Sequence, residues 1–207
     1  MAIIDELAHS LNRRDEVPNQ LLAKKIADKK DKNAVKELIA LLSHKSKDIR
    51  FDVIKVLYEI GEQQPSLITA YAKHFIALLD DKDNRNIWGA MHALDSITPE
   101  DPKLIYSHLS KIMDIAEKGS VITRDHTVGI LIKLGGIKAY TANAFSLLME
   151  ILKSCPTNQL PMYAENATGI ITAGNKTVFI KTLKSRLTEI EKETKRKRVE
   201  KVIKRLS

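Results

Sequence analysis

The four residues Ile39-Ala-Leu-Leu42 occur again as Ile76-Ala-Leu-Leu79, 37 residues later. Pro65 and Pro102 keep the same spacing, and so do the apolar segments Ile54–Ile60 and Met91–Ile97. A third copy of that segment fits at Ile130–Gly136, 39 residues on, and a fourth at Thr168–Gly174, after 38 more. A weaker fifth copy, Glu200–Leu206, follows at 32. Several landmarks holding one spacing mean that a structural unit of about 37 residues is repeated, and a repeat constrains the fold more than any other feature of the chain.

Each unit reads as two helices. Val35, Leu38, Ile39, Leu41 and Leu42 recur at helical spacing, and after the polar turn Lys45-Ser-Lys-Asp48 a second stripe runs through Ile49, Val53, Val56, Leu57 and Ile60. Asp48 is the expected N-cap of the second helix, and Gly61 and Pro65 are stop and restart signals. The same plan predicts helices near 66–80 and 84–97, then 102–118 and 121–134, 138–154 and 159–173, and 175–192 and 194–206. Two more are expected near 2–12 and 18–30, the latter opening with Pro18 in its first turn. The total is about twelve helices in six antiparallel pairs, with no competing strand pattern and no linker. The expectation is a single domain over 1–207, with an N-terminal cap at 1–32 and a basic C-terminal cap at 175–207. A lone helix pair cannot bury its apolar stripe, so neighbouring pairs must stack into an all-α solenoid. Inner helices should then be apolar nearly all round, as Ile87, Trp88, Ala90, Met91, Ala93, Leu94 and Ile97 indicate.

The pattern resembles that of HEAT-repeat proteins: a Leu-Leu pair ending the first helix, an acidic turn, a β-branched–Arg step, then an amphipathic helix. It is carried by Leu41-Leu42 with Asp48-Ile49-Arg50, and by Leu78-Leu79 with Asp80-Asp81-Lys82-Asp83. The match covers about residues 33–174, and later units depart from it, with Arg124-Asp125 in reversed order and Met162 where earlier units have Arg85 and Arg124. The resemblance implies a right-handed superhelix whose second helices line a concave face. Aligning the second helices puts Asp52, Lys55, Arg85, His92, Arg124 and Asn166 among the polar positions expected to face that groove. Their mixed charge points to a protein or peptide partner rather than a uniformly basic nucleic-acid track.

Catalytic patterns are sparse. The six histidines, at 9, 44, 74, 92, 108 and 126, include no pair three or four apart, so no helix presents a two-His metal site. A single cysteine, Cys155 before Pro156, excludes an internal disulfide framework and reads as a structural thiol. Gly135-Gly136 lacks the Lys-Ser/Thr of a phosphate loop and reads as a helix C-cap. Asn166-Ala-Thr and Asn175-Lys-Thr match the glycosylation acceptor by chance. Some HEAT-like proteins are alkylpurine DNA glycosylases, which need aromatic side chains beside a carboxylate on a basic face. Trp88 reads as core packing, and nothing in the sequence sets an aromatic residue beside Asp52 or Asp95. No enzyme activity, cofactor or metal is expected.

Charge supplies the remaining clue. The net charge is +8, and residues 181–207 carry +7 of it, with eleven basic side chains against four acidic. The basic end is either a solubilising cap or a nucleic-acid footprint through Lys197, Arg198, Lys201 and Arg205; no aromatic is interleaved for base stacking. Residues 1–6 carry acids where a signal peptide carries Lys or Arg, and no apolar run reaches the roughly 18 residues of a membrane span. With 43% hydrophobic and 29% charged residues, a soluble, cytoplasmic, folded protein is expected, with no membrane partner and no oligomeric state specified.

Overall fold

The computed structural model describes residues 2–207. Among them are twelve α-helices and no strand. The chain divides into two compact units, Met1–Thr127 and Val128–Ser207, and the division falls inside the eighth helix.

The first unit holds α1 (Val17–Lys29), α2 (Lys32–Leu41), α3 (Lys47–Gln63), α4 (Ala72–Leu78), α5 (Asn84–Ile97), α6 (Pro102–Ser107), α7 (Leu109–Lys118) and the start of α8 (Val121–Gly135). Four of its helices, α2, α3, α5 and α6, begin at short polar side chains that accept otherwise orphaned amides. Asp31 accepts from Asn33 and Ala34 N–H, Asp83 from Arg85 N–H and Asp101 from Leu104 N–H. The N-cap of α3 is Ser46, which accepts from Ile49 N–H at 3.5 Å; the expected cap, Asp48, lies one residue inside the first turn. The core of the unit is mainly aliphatic, with Val53, Val56, Leu57 and Ile60 of α3 and Ala90, Met91, Ala93, Leu94 and Ile97 of α5 fully buried, together with Phe75 of α4. The two helices approach closely at Gly89, where a Cβ would lie 2.4 Å from Ile54 Cγ1.

Three expected helices take other forms here. In place of a helix at 2–12 stands a 3-10 turn, Ile3–Glu6, followed by further turns. The reason is where its amides go: Ile3 N–H donates to Glu37, Ala8 N–H to Asn19 Oδ1 and His9 N–H to Asp52 Oδ2, so these donors are used in tertiary bonds rather than an i−4 ladder. The segment near 66–80 opens with two 3-10 turns, Pro65–Leu67 and Thr69–Tyr71, before α4. The segment near 102–118 breaks at His108, which separates α6 from α7.

The second unit holds the rest of α8, α9 (Thr141–Ser154), α10 (Leu160–Ala167), α11 (Lys176–Arg186) and α12 (Glu193–Leu206). The helix expected over 159–173 stops at Ala167, and a 3-10 turn Thr168–Ile170 follows. Asn175 closes the next turn, accepting from Thr172 N–H at 2.7 Å and donating to Ile170 O at 3.2 Å. Arg186 is 8% exposed although it counts among the basic residues of the C-terminal segment. Its guanidinium donates to the carbonyls of Leu152 and Cys155, at 2.8 and 2.9 Å, satisfying oxygens left open at the C-terminus of α9. Cys155 is buried beside them.

Candidate functional site

One face of α3 carries the adjacent pair Phe51 and Asp52, then Lys55 and Tyr58 at one-turn intervals, and one face of α5 carries Arg85, Trp88 and His92 at one-turn intervals. With Arg13, Arg14, Asp15 and Glu16 before α1, Asn19 within it, and Ile122 and His126 on the first turns of α8, they line a cleft of about 460 Å³ in the first unit. Four residues singled out in the sequence, Asp52, Lys55, Arg85 and His92, are brought together here. Arg124 is turned back to donate to Ala116 O at 3.4 Å, and Asn166 is an exposed residue of α10 in the second unit.

Two expectations are corrected at this cleft. Trp88 is not a core residue: the buried stripe of α5 runs through Asn86, Ala90, Met91, Ala93, Leu94 and Ile97, while Trp88 is half-buried and lines the cleft. Asp52 does have aromatic company, since Phe51, Tyr58 and Trp88 line the same cleft. Helical periodicity held the missed signal, because Arg85, Trp88 and His92 form a stripe distinct from the apolar one.

Most charges in the cleft are already engaged. Asp52 accepts from His9 N–H and from Asn19 Nδ2, each at 2.7 Å, which ties the N-terminal turn to α3. Asp15 is held by the Arg13 guanidinium at 2.7 and 3.0 Å. Lys55 lies between Glu59, at 2.7 Å, and Glu16, at 2.9 Å, with its ammonium 4.8 Å from the Tyr58 ring centre. Burial pulls the Lys55 pKa down, but the hydrogen bonds with Glu59, Tyr58 and Glu16 outweigh it and leave the ammonium more firmly protonated than usual. Burial pushes the Tyr58 phenol up, against the opposing effect of Lys55.

Along the lining of the cleft three rings stack in a column, Tyr58 on His92 at 4.2 Å and His92 on His126 at 4.3 Å between centres. Each imidazole has its own carboxylate: His92 Nε2 lies 2.6 Å from Glu62 and His126 Nδ1 lies 3.1 Å from Asp95. Burial, followed by the charge of His126, holds the His92 pKa below its ordinary value, so at neutral pH His92 is neutral and its Nε2–H donates to Glu62. Among the described residues no group of three His, Cys, Asp or Glu side chains could hold a metal ion.

The basic C-terminal residues are partly committed within the second unit. Arg198 makes a bidentate pair with Glu165, at 2.9 and 2.5 Å, and Lys197 pairs with Glu193 at 2.7 Å. Arg198 holds the Glu165 carboxyl below the usual range. Lys201 and Arg205 line a small hollow beside that pair. No helix among the described residues is long and apolar enough to cross a membrane.

The class that this arrangement defines is the all-α repeat solenoid. No protein-family model matches the chain, and no curated protein matches it. Solved structures do. A designed armadillo repeat protein in complex with the peptide (KR)4 superposes with a TM-score of 0.68 at 17% identity, over 99% of this chain and 98% of the other. Computationally designed armadillo repeat proteins for modular peptide recognition give 0.66 at 15% identity, over 99% and 98%. An engineered protein from a structural genomics consortium gives 0.61 at 18% identity, over 100% and 98%. At these identities the likeness is one of fold.

Proposed function

We propose that the chain is a non-enzymatic interaction scaffold, a HEAT-like solenoid that holds a protein or peptide partner on the concave face of its second helices. The observation that carries this reading is the cleft between α3 and α5, which offers the half-buried Trp88 beside Arg85 while its carboxylates are tied up in internal bonds. A carboxylate that already accepts two hydrogen bonds, as Asp52 does, makes a poor general base. An aromatic side chain beside a guanidinium, by contrast, is the composition of a binding hot spot. The peptide-binding purpose of the designed armadillo neighbours supports the same use of stacked helices. The HEAT-like character is supported by a similar link in two units: Arg50 of α3 donates to His44 O, in the turn after α2, at 2.8 Å, and Arg124 of α8 donates to Ala116 O, near the end of α7.

Panning a phage-displayed dodecapeptide library on the full chain tests the reading, with a Trp88→Ala/Arg85→Ala variant as counter-selection. Peptides enriched on the parent and lost on the variant are expected. Failure to enrich any sequence above the variant would overturn the proposal.

A further inference from the structure

The charges of the cleft are unevenly spent. Asp15, Glu16 and Asp52 are each bonded to a neighbour, and so are the cations Arg13 and Lys55. Two guanidiniums remain. Neither Arg14 nor Arg85 forms an ion pair among the described residues, and both are exposed. Asp83, whose carboxylate feels the charge of Arg85, is itself engaged by Lys47 and by the first turn of α5. Arg85 also has an orienting surface, because its guanidinium lies 5.0 Å from the Phe51 ring centre. Cation–π stacking of this kind fixes the plane of the guanidinium and leaves its edge N–H groups for an acceptor. Trp88 lies one turn further along α5 and lines the same cleft.

Resting on the peptide-scaffold reading, we infer that the occupant of this cleft is an acidic peptide segment. Its carboxylates lie on Arg85 and Arg14, and a bulky apolar side chain lies on Trp88. Charge complementarity selects the sign. A basic segment would meet two uncompensated guanidiniums and would have to break existing pairs to reach a carboxylate. An acidic segment meets two open donors and displaces nothing. Arginine suits the task because its fork matches both oxygens of a carboxylate.

The test uses three labelled dodecapeptides with the same leucines, in which the polar positions are Asp/Glu, Asn/Gln or Lys/Arg. Fluorescence anisotropy is read with the full chain at low and high salt. The acidic peptide is expected to bind at least ~10-fold tighter than the neutral one, and the preference should shrink with added salt. An Arg14→Gln/Arg85→Gln variant, both positions being exposed, should remain folded and bind the acidic peptide no tighter than the neutral one. Equal or tighter binding of the neutral or basic peptide would overturn the acidic assignment and leave the scaffold reading standing. Absence of binding by all three would overturn both.

Discussion

His126 of α8 stacks on His92 of α5 with ring centres 4.3 Å apart, and each imidazole faces a separate carboxylate. Burial and the charge of the neighbouring ring hold His92 below its ordinary pKa of about 6.5. As pH falls, the unfolded chain therefore binds this proton before the folded one does. The contribution of His92 to stability is intact above about pH 6.5 and is lost as pH falls from there through the depressed folded value. Chemical denaturation between pH 7.5 and 5 should show this loss. Replacing His126 with Phe keeps a ring in the column and removes its charge. NMR titration of the His126→Phe protein should accordingly show the His92 pKa moved upward; an unchanged value would mean that the neighbouring charge is not felt.

Gly89→Ala tests the closest helix contact. Alanine is favoured over glycine in a helix by about 1 kcal/mol. The new methyl, however, would sit 2.4 Å from the buried Cγ1 of Ile54, and overpacking of this kind costs about 1–3 kcal/mol. A net loss of stability in urea denaturation is expected. An accompanying Ile54→Ala change should make the double variant more stable than the two single costs added together, because the clash is shared. Gly169, with no atom within 4 Å of an added Cβ, serves as the control and should tolerate alanine without such a clash.

Arg186→Met keeps much of the apolar stem of the side chain and removes the guanidinium donors. Two carbonyls at the end of α9 would then lose their guanidinium partner in a buried setting, at a cost of about 1–3 kcal/mol. The Glu189 pair contributes little to that figure, since its carboxylate is about half exposed. A midpoint in urea indistinguishable from that of the parent would show that water replaces the guanidinium.

Trp88 reports on the cleft directly. As a half-buried residue its emission should lie to the red of a core tryptophan and should be quenched by acrylamide. Trp88→Ala should cost less than the roughly 3–5 kcal/mol of a fully buried aromatic residue. A blue-shifted, unquenchable emission would place Trp88 back in the core.

The helix pairs were legible because burial imposes a period, and Ile54–Ile60 and Met91–Ile97 repeat it faithfully. What the period misses is stagger. Tyr58 is equivalent to Asp95 at the 37-residue repeat, yet the ring it touches belongs to His92, one turn earlier, and His126 follows 34 residues after that. Equivalence between units therefore does not name the touching pair. Trp88 was misread because its apolar character agrees with both a core stripe and a cleft stripe, and only the neighbouring Arg85 and His92 distinguish them. The N-terminal turn was misread because its amides are satisfied by Asn19, Glu37 and Asp52, partners that no local pattern announces.

The two sides of the cleft differ in how freely they can change. The wall made by α3 and α5 grows out of the core, and replacing Ile54 or Gly89 there disturbs the packing of both helices. The other part of the lining, residues 13–16, is exposed throughout, and it is moored on both sides by Asp52, which accepts from His9 N–H before it and from Asn19 Nδ2 after it. Mutational drift can rewrite those four positions at little risk to folding. On the proposed reading of the cleft, selectivity would change first on that rim, with the Asp52 mooring as a fixed point of an otherwise rewritable edge.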